Sequence, residues 1–436
     1  MTKDKTSQKS ALVIGGGVAG MQASLDIASQ GYRVYLVEKQ TSIGGRMAAL
    51  DKTFPTLDCS ACILTPRLSE VARHPNIELL TYSEVESVKG KAGKFRVTVR
   101  RKARYVDEDK CSGCGDCSRE CPVEVPNEFD EGLGFRKAIY IPFPQATPNV
   151  YAIDRERCIQ CKRCQKTCER GAIDFEMTDQ IVELQVGAII VATGYKLFDV
   201  SQYPRLGYGK YTNVITAMEY ERLINAAGPT QGHLIRLSDG RVPKNIAFIQ
   251  CVGARDVAKG VPYCSRVCCM YGIKNAVMAR EHDPEARVTV YYADIRAFGK
   301  GFEEFYEMAK TRFGVDFVKG RVGELSENPH NQNLVMSVEN ILTGKVSERE
   351  HDLVVICPGL QPPEGLDTIA NALGLERSID GYLNVEDRFA APVETLVPGV
   401  FTCGCADGPK DIPDSVTAGS AAAMKATIIL AVGGVA

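Results

Sequence analysis

The sequence lacks several features that would assign it quickly to a functional class. Its net charge is only −2 over 436 residues, so it shows no overall bias towards nucleic acid or an anionic membrane. The first ten residues, MTKDKTSQKS, contain no apolar secretion signal. The C-terminal run AAAMKATIILAVGGVA contains Lys425 and ends in glycines, so we expect a core helix and no transmembrane segment. These absences predict a cytoplasmic protein without a nucleic-acid partner.

Cysteine, in contrast, is abundant, with 17 residues in the chain. Without a secretion signal, disulfide bonds are a poor explanation for so many thiols. Ligation of metal ions or clusters is the better explanation, and the spacing of the cysteines tests it.

A dinucleotide-binding unit opens the chain. The run ALVIG predicts a strand at 11–15, a helix-compatible stretch follows over 21–30, and YRVYLVEK predicts a second strand ending at Glu38. Between strand and helix lie three glycines spaced for a tight turn, an approach of pyrophosphate to the backbone, and close packing of helix on strand. Glu38 is placed to accept hydrogen bonds from a ribose. The predicted contacts are Gly15, Gly17, Val18, Ala19, Gly20, Glu38 and Lys39.

Two further segments favour FAD over NAD as the dinucleotide. The segment SIGGRMA at 42–48 and the segment VATG at 191–194 resemble the additional cofactor-contacting segments of two-dinucleotide-binding flavoproteins. Taken alone, Arg46 is equally well explained as a solvated surface side chain. The predicted contacts here are Gly45, Arg46, Ala192, Thr193 and Gly194.

Eight cysteines form two runs with the spacing of a bacterial two-cluster ferredoxin. In such runs the fourth cysteine ligates the other cluster. The predicted first set is Cys111, Cys114, Cys117 and Cys168, and the second is Cys158, Cys161, Cys164 and Cys121. Zinc is the alternative metal that these cysteines could bind, but doubled four-cysteine runs with these spacings are unlike zinc ribbons. We therefore predict two [4Fe–4S] clusters that pass electrons and have no substrate pocket of their own.

A second α/β unit begins near Lys244 and replaces the expected glycine motif with thiols. The segment NIAFIQCVGARD supplies Gly253 but no second Gly-x-Gly-x-x-Gly, which disfavours NAD(P)H binding. The loop carries Cys251, Cys264, Cys268 and Cys269. Four residues apart, Cys264 and Cys268 would share one face if both lay on a helix. The residues leave two alternatives: ligands of a further cluster, or buried or redox-active thiols without metal.

The closing segment DLVVICPGL of this unit echoes GAIIVATGY of the first, which indicates two related dinucleotide-type domains. The predicted fold class is α/β, a two-dinucleotide-binding flavoprotein with an inserted α+β ferredoxin domain. The FAD-binding domain is expected in three segments, 11–105, 179–243 and 359–436. The ferredoxin insert is expected at 106–178, and an NAD(P)-domain-like unit at 244–358.

These motifs resemble the A-type subunits of heterodisulfide reductase, which are iron–sulfur flavoproteins. The segments that carry the resemblance are VIGGGVAGMQASLDIA, FPTLDCSACILTP, HPNIELLTYSEVE, VPNEFDEGLGFRKAIY, CVGARD…YCSRVCCMYGIK and PKDIPDSVTAGSAAA. The resemblance implies a thioredoxin-reductase-like FAD scaffold and a third [4Fe–4S] cluster on Cys251, Cys264, Cys268 and Cys269. It also implies that Lys274 approaches flavin N5 and that an acid, Glu221 in preference to Glu219, accompanies it.

The resemblance also implies partners, and it shows where this sequence differs from related proteins. Expected partners are B- and C-type subunits of heterodisulfide reductase and a ferredoxin, hydrogenase or other electron carrier, with a homodimer inside the larger complex. Relative to methanogen forms, the sequence predicts a short form without the extra N-terminal domain and the C-terminal ferredoxin domain. Cys405 stands where many related flavoproteins place an aspartate. The expected flavin contacts near the C-terminus are Gly404, Cys405, Ser415 and Val416, with a helix starting at about Ser415.

The resulting hypothesis is an oxidoreductase subunit in which FAD and three [4Fe–4S] clusters exchange electron pairs and single electrons, a scheme that admits flavin-based electron bifurcation. One alternative is a stand-alone NAD(P)H-dependent iron–sulfur flavin oxidoreductase, and another is a non-catalytic electron-wiring scaffold. Cys59 and Cys62 have two open interpretations, cluster ligands or thiols near the flavin. Cys357, Cys403 and Cys405 are expected in the core or the flavin pocket.

Overall fold

Short buried strands alternate with helices through most of the chain, as the apolar runs predict. The computed structural model describes residues 9–433. The strands are β1 (Ser10–Ile14), β2 (Arg33–Glu38), β3 (Ile77–Thr81), β4 (Ser83–Lys91), β5 (Lys94–Arg101), β6 (Glu124–Pro126), β7 (Phe135–Lys137), β8 (Ile139–Tyr140), β9 (Ala152–Ile153), β10 (Gln180–Val186), β11 (Ala188–Val191), β12 (Lys196–Leu197), β13 (Val214–Thr216), β14 (Asn245–Val252), β15 (Arg287–Tyr292), β16 (Asp316–Glu327), β17 (Leu334–Asn340), β18 (Val346–His351), β19 (Leu353–Pro358), β20 (Leu360–Gln361) and β21 (Val400–Thr402). The helices are α1 (Val18–Ser29), α2 (Ser60–Arg73), α3 (Asp116–Arg119), α4 (Arg163–Thr167), α5 (Ala217–Ile224), α6 (Cys268–His282), α7 (Phe302–Thr311), α8 (Leu366–Leu373) and α9 (Ile412–Val432).

The chain forms two units. Unit 1 comprises the described residues up to Ala48, Ala61–Tyr195 and the residues from Pro362 onward, and unit 2 comprises Ala49–Ser60 and Lys196–Gln361. Each unit has its own apolar core, as expected for a chain of this length.

Unit 1 is built on a five-stranded parallel sheet with the order β21–β11–β1–β2–β3. Its central strand β1 is wholly buried, which is typical of a parallel sheet covered on both faces. Helices α1 and α9 pack closely, because Gly419 of α9 has no side chain: a Cβ there would lie 2.6 Å from the carbonyl oxygen of Ala19. The central strands end at one edge of the sheet, where ligands bind in such folds.

Two smaller regions of unit 1 accompany this sheet. The strands β10, β5 and β4 form an antiparallel sheet. Between β5 and β10 lies the cysteine-rich insert, with the β6–β7 and β8–β9 hairpins and the short helices α3 and α4. The insert has an apolar cluster of its own that includes cysteine side chains, Ile139 and Phe175.

Unit 2 contains a seven-stranded sheet with the order β13–β19–β14–β15–β16–β17–β18. The first five strands are parallel, and β16, β17 and β18 form an antiparallel meander. Helix α6 connects β14 to β15 and packs on both. The β14–α6–β15 unit has the topology of a dinucleotide-binding domain.

The C-terminal helix α9 differs from its sequence prediction in two ways. It begins at Ile412, before Ser415, because the Asp411 side chain caps the helix by accepting the Asp414 N–H at 2.8 Å. At 21 residues, with an 18-residue window of mean hydropathy 1.5, it is also long and apolar enough to cross a membrane by length and composition alone, despite Lys425 and the terminal glycines. The core helix of a soluble protein passes the same test. In unit 1, α9 packs on α1 and buries 39% of its apolar window inside the structure.

Candidate functional site

The glycine turn after β1 has the geometry of a phosphate-binding turn. Gly20 lies against the turn so closely that a Cβ there would be 1.9 Å from the Gly15 carbonyl oxygen. Gly15 has φ +111°, and a Cβ there would be 2.3 Å from the Ala192 carbonyl oxygen. Gly17 is different, because among the described residues no heavy atom lies within 4 Å of its Cβ position. Gly17 precedes Val18 at the start of α1, so the N-terminus of the helix faces open space that suits a pyrophosphate.

Glu38 is held rigidly at the end of β2. Its two carboxylate oxygens accept N–H groups from Gly16 at 2.7 Å and Gln40 at 2.8 Å. Burial raises the pKa of Glu38, and these backbone N–H groups oppose that rise. Lys39, the next residue, is exposed. The carboxylate is therefore positioned beside the glycine turn, as a ribose contact requires.

The second glycine segment and the VATG segment adjoin this turn. A Cβ on Gly45 would lie 2.9 Å from Cα of Gly17, so the two glycine segments are in contact. Arg46 pairs with Glu131 of the insert at 3.4 Å and is partly exposed. The buried hydroxyl of Thr193 has no hydrogen-bond partner among the described residues. An unpartnered buried hydroxyl and an open turn fit a polar cofactor such as FAD.

The predicted C-terminal contacts gather near α1. A Cβ on Gly404 would lie 2.8 Å from Cβ of Ala19, which brings the segment before α9 to the start of α1. Burial raises the pKa of the Cys405 thiol to about 11, and its Sγ donates to the Lys410 carbonyl oxygen at 3.4 Å. Ser415 is buried in the first turns of α9, and Val416 follows it. Lys410 Nζ donates to the Gly404 carbonyl oxygen at 2.9 Å, a contact that the sequence analysis missed.

The second cysteine set of the insert lines one pocket. All four predicted ligands, Cys121, Cys158, Cys161 and Cys164, line one small pocket together with Val123, Ala138, Ile139, Ile153, Ile159, Lys162 and Phe175. The pKa of Cys164 is raised to about 11, mainly by burial and in part by the neighbouring thiols Cys158, Cys121 and Cys161. Apolar walls around four thiols suit an iron–sulfur cluster, which deprotonates its ligands on binding.

Three members of the first set are likewise neighbours. Burial raises the pKa of Cys117 to about 12, and nearby Cys111 and Cys114 contribute to that rise. Cys168, the fourth predicted ligand, accepts the Ala172 N–H at 3.4 Å and packs on the apolar cluster that contains Cys117. Its assignment to the first set stays a prediction.

The two runs share one backbone conformation. In the first run Gly113 and Gly115 have positive φ values of +71° and +89°. In the second run Gln160 and Lys162 occupy the same positions, with φ of +56° and +59°. A non-glycine residue in this region costs about 1–2 kcal/mol. The conformation lets the Gln160 N–H donate to the sulfur of Cys158 at 3.4 Å, which explains why the second run tolerates the strain.

The thiols of unit 2 repeat this local geometry. Arg266 has φ +60°, and its N–H donates to Cys264 Sγ at 3.4 Å, as Gln160 does to Cys158. Cys268 and Cys269 are buried at the start of α6, and burial raises the pKa of Cys269 to about 12. Cys251 and Cys264 interact electrostatically with both of them. Cys264, however, precedes α6, so the expectation of a shared helical face with Cys268 is wrong. The loop, rather than the helix, brings Cys264 to the group.

None of these sets converges on a single ion. Between residues 9 and 433, no group of three or more His, Cys, Asp or Glu side chains could hold one metal ion. A structural zinc ion requires four ligands around one point. A cubane cluster instead spreads its thiolate ligands over four separate irons, so neighbouring but separated thiols suit it better.

Lys274 and Glu221 form a buried ion pair in unit 2. Their side chains are 2% and 3% exposed, and Lys274 Nζ donates to one Glu221 oxygen. The other Glu221 oxygen accepts the Asp51 N–H at 3.0 Å. Glu219 has a different role, because it forms a capping box with Thr216 at the start of α5. Lys274 therefore pairs with Glu221 rather than with Glu219, its less favoured alternative.

The remaining cysteines divide by exposure. Cys357, Cys403 and Cys405 are buried, as predicted, whereas Cys59 and Cys62 are exposed. None of the described cysteines forms a disulfide. The sequence analysis missed several other buried polar groups near these sites, including Arg222, Gln250 and Asn275. They lie inside regular elements and carry no motif, so burial is visible only in three dimensions.

The fold and these sites together define an FAD- and iron–sulfur-containing oxidoreductase. Three family models match the chain: "4Fe-4S dicluster domain" at 110–173, "FAD dependent oxidoreductase" at 11–109, and "Pyridine nucleotide-disulphide oxidoreductase" at 145–423. The last match covers more than half of the sequence, so the chain belongs to the pyridine nucleotide-disulphide oxidoreductase family.

Within this family the similarity to the A-type subunits of heterodisulfide reductase is confirmed. The chain is 53% identical over 418 residues to the A-type subunit of the H2:CoB-CoM heterodisulfide,ferredoxin reductase of Methanothermobacter marburgensis, covering 96% of this chain and 63% of the relative. It is 55% identical to an A-type iron-sulfur subunit of the CoB–CoM heterodisulfide reductase of Methanopyrus kandleri, covering 98% and 65%. The chain thus spans less than two thirds of the length of these relatives.

Solved structures confirm the thioredoxin-reductase-like fold. The thioredoxin reductase of T. acidophilum has a TM-score of 0.54 and 14% identity, covering 95% of this chain and 96% of that one. The thioredoxin reductase of Lactococcus lactis has a TM-score of 0.54 and 15% identity, covering 97% and 99%. At such low identity the similarity concerns the fold alone.

Proposed function

We propose that this chain is the flavin-bearing electron-transfer subunit of a heterodisulfide-reductase-type complex. FAD supplies both pair and single-electron chemistry when bound, and [4Fe–4S] clusters supply single-electron transfer. The proposal assigns FAD to the glycine turn of unit 1, two clusters to the insert and a third to Cys251, Cys264, Cys268 and Cys269. Flavin-based bifurcation is compatible with this scheme.

The observation that carries the proposal is the turn after β14. In unit 1 the corresponding turn is open at Gly17, and α1 starts directly after it. In unit 2, β14 ends at Val252, but helix α6 does not start until Cys268. A pyrophosphate would lack the nearby helix N-terminus that it needs, whereas four thiols lie along this connection.

Several side chains have proposed roles in holding and tuning the cofactors. Glu38, fixed by two backbone N–H groups, holds the cofactor ribose. Lys274 forms a buried ion pair with Glu221. By family resemblance we propose that Lys274 acts on flavin N5, where a cation stabilises negative charge on the ring. The backbone N–H groups of Gln160 and Arg266 donate hydrogen bonds to the sulfurs of Cys158 and Cys264 and so help to orient these two predicted ligands.

The partners are proposed from the relatives. Their names include heterodisulfide, ferredoxin reductase and, for the Methanosarcina acetivorans protein, a ferredoxin/F420H2-dependent CoB-CoM heterodisulfide reductase. We propose that this chain works in the cytoplasm as a homodimer with B- and C-type subunits. Disulfide cleavage takes place on a partner subunit, and a ferredoxin or hydrogenase-type protein exchanges electrons with this chain.

Rapid mixing tests the proposal against its alternatives. The purified chain with FAD and clusters is mixed anaerobically with reduced ferredoxin or with NADH, and the flavin absorbance at about 450 nm is followed. Bleaching by ferredoxin but not by NADH is the expected result. Bleaching by NADH at turnover rates would instead establish an NAD(P)H-dependent oxidoreductase, and no bleaching by either donor would indicate an electron-wiring scaffold.

A further inference from the structure

A buried amide in β14 lacks the partners that its chemistry requires. Gln250 is 6% exposed, and neither its Nε2 nor its Oε1 has a hydrogen-bond partner within residues 9–433. Buried polar side-chain atoms are nearly always hydrogen-bonded. An unpaired amide therefore indicates a ligand that it faces in the working protein.

Helix α6 is shaped to admit this amide. A Cβ on Gly272 would lie 1.9 Å from Gln250 Nε2 and 3.2 Å from Cys357 Sγ. Only glycine at 272 lets the amide lie directly on the helix. Gln250 and Cys357 come from the neighbouring parallel strands β14 and β19, whose register shifts just after Ile249. The amide and the thiol thus meet the helix at the same point.

That point adjoins the predicted third cluster. Cys268 and Gly272 are four residues apart on α6, so they lie on one face, one turn apart. Cys357 in turn interacts electrostatically with Cys268, Cys269 and Cys251. Gln250 Nε2 and Cys357 Sγ both lie against Gly272, so the unpaired amide meets α6 one helical turn from Cys268, a predicted ligand.

We propose that the Gln250 side chain donates a hydrogen bond through Nε2 to a sulfur atom of the third [4Fe–4S] cluster and raises its reduction potential. The inference rests on the proposed function, because it needs a cluster on Cys251, Cys264, Cys268 and Cys269. Hydrogen bonds to the sulfurs are one of the levers that set cluster potentials. A donor stabilises the more negative, reduced form, so removing it makes reduction harder.

Redox titration of the holoprotein, followed by EPR, tests the proposal. Gln250→Met keeps the length of the side chain and removes the donor. Gly272→Ala keeps the donor and displaces it from the helix. Both variants are expected to retain about twelve irons per chain, with the third cluster titrating at a more negative potential than in the wild type. Gln202→Met, at an exposed position of the same unit, is the matched control and leaves the potential unchanged.

The outcomes separate this inference from the proposed function. A wild type with about eight irons and no third signal would refute the third cluster itself. About twelve irons with an unchanged potential in both variants would overturn only the role of Gln250. If Gln250→Met loses the cluster, Gly272→Ala decides, because it adds no charge and only displaces the amide from the helix: a lower potential supports the proposal and a wild-type potential refutes it.

Discussion

The buried Lys274–Glu221 pair makes a prediction whose size follows from its burial. In Lys274→Met, Glu221 keeps only the Asp51 N–H and is otherwise an unpaired charge at 3% exposure. Breaking a buried pair from one side costs about 3–5 kcal/mol. In the double variant with Glu221→Gln, no charge is left unpaired and the Asp51 N–H keeps an acceptor. The double variant is therefore expected to be more stable than Lys274→Met alone.

Thermal unfolding at a fixed scan rate, under anaerobic conditions, measures this difference. At about 2–4 °C per kcal/mol, Lys274→Met should lower the midpoint by about 6–20 °C, and adding Glu221→Gln should restore some of the loss. The half-exposed pair of Lys319 and Asp294 is the control. Lys319→Met should cost about 1 kcal/mol or less. Equal shifts of the unfolding midpoint in Lys274→Met and Lys319→Met would refute a coupled buried pair. So would a double variant whose midpoint falls by the sum of the losses in Lys274→Met alone and Glu221→Gln alone.

Three further predictions address FAD, the insert and pH. Gly20→Ala forces a Cβ to within 1.9 Å of the Gly15 carbonyl oxygen and should abolish FAD binding, seen as loss of flavin from the purified chain with its iron retained; bound flavin at wild-type level would contradict the assignment. Cys158→Ala should remove about four irons and leave FAD in place, and an unchanged iron content would exclude it as a ligand. Burial lowers the pKa of His351 to about 4 from 6.5, so the unfolded state binds more protons between these values and stability falls as pH drops through that range. At pH 5 the loss is about 2 kcal/mol, and His351→Gln, which keeps a partner for Tyr291, should lose this pH dependence of the unfolding midpoint; the same slope in the variant would contradict it.

Local patterns account for the features of the site that the sequence predicted well. Three glycines between a strand and a helix determine the turn, because each position is limited by a backbone contact such as that of Gly20 with Gly15. Glu38 was predicted as the last residue of its strand, and β2 ends there. The cysteine spacing of the insert is equally local, and its second set lines one pocket.

Long-range packing accounts for what the sequence could not predict. Gln250 meets Gly272 and Cys357, which lie far from it in the chain, and no periodic pattern connects them. Cys264 lies outside α6 for another reason, because the left-handed backbone at Arg266 keeps Cys264 in the loop before the helix. The start of α9 did leave a signal: Asp411 with Pro413 two residues later is a typical helix beginning.

The central claim is that a cluster stands in unit 2 where related folds bind a nicotinamide dinucleotide. The measurement that tests it most directly is the iron and acid-labile sulfide content per chain, with EPR of the reduced protein. The wild type and Cys357→Ala, which changes a buried thiol outside the predicted ligand set, should contain about twelve irons. Cys268→Ala should contain about eight, lack the third EPR signal and keep its FAD. Equal iron content in wild type and Cys268→Ala, with identical EPR spectra, would contradict the claim.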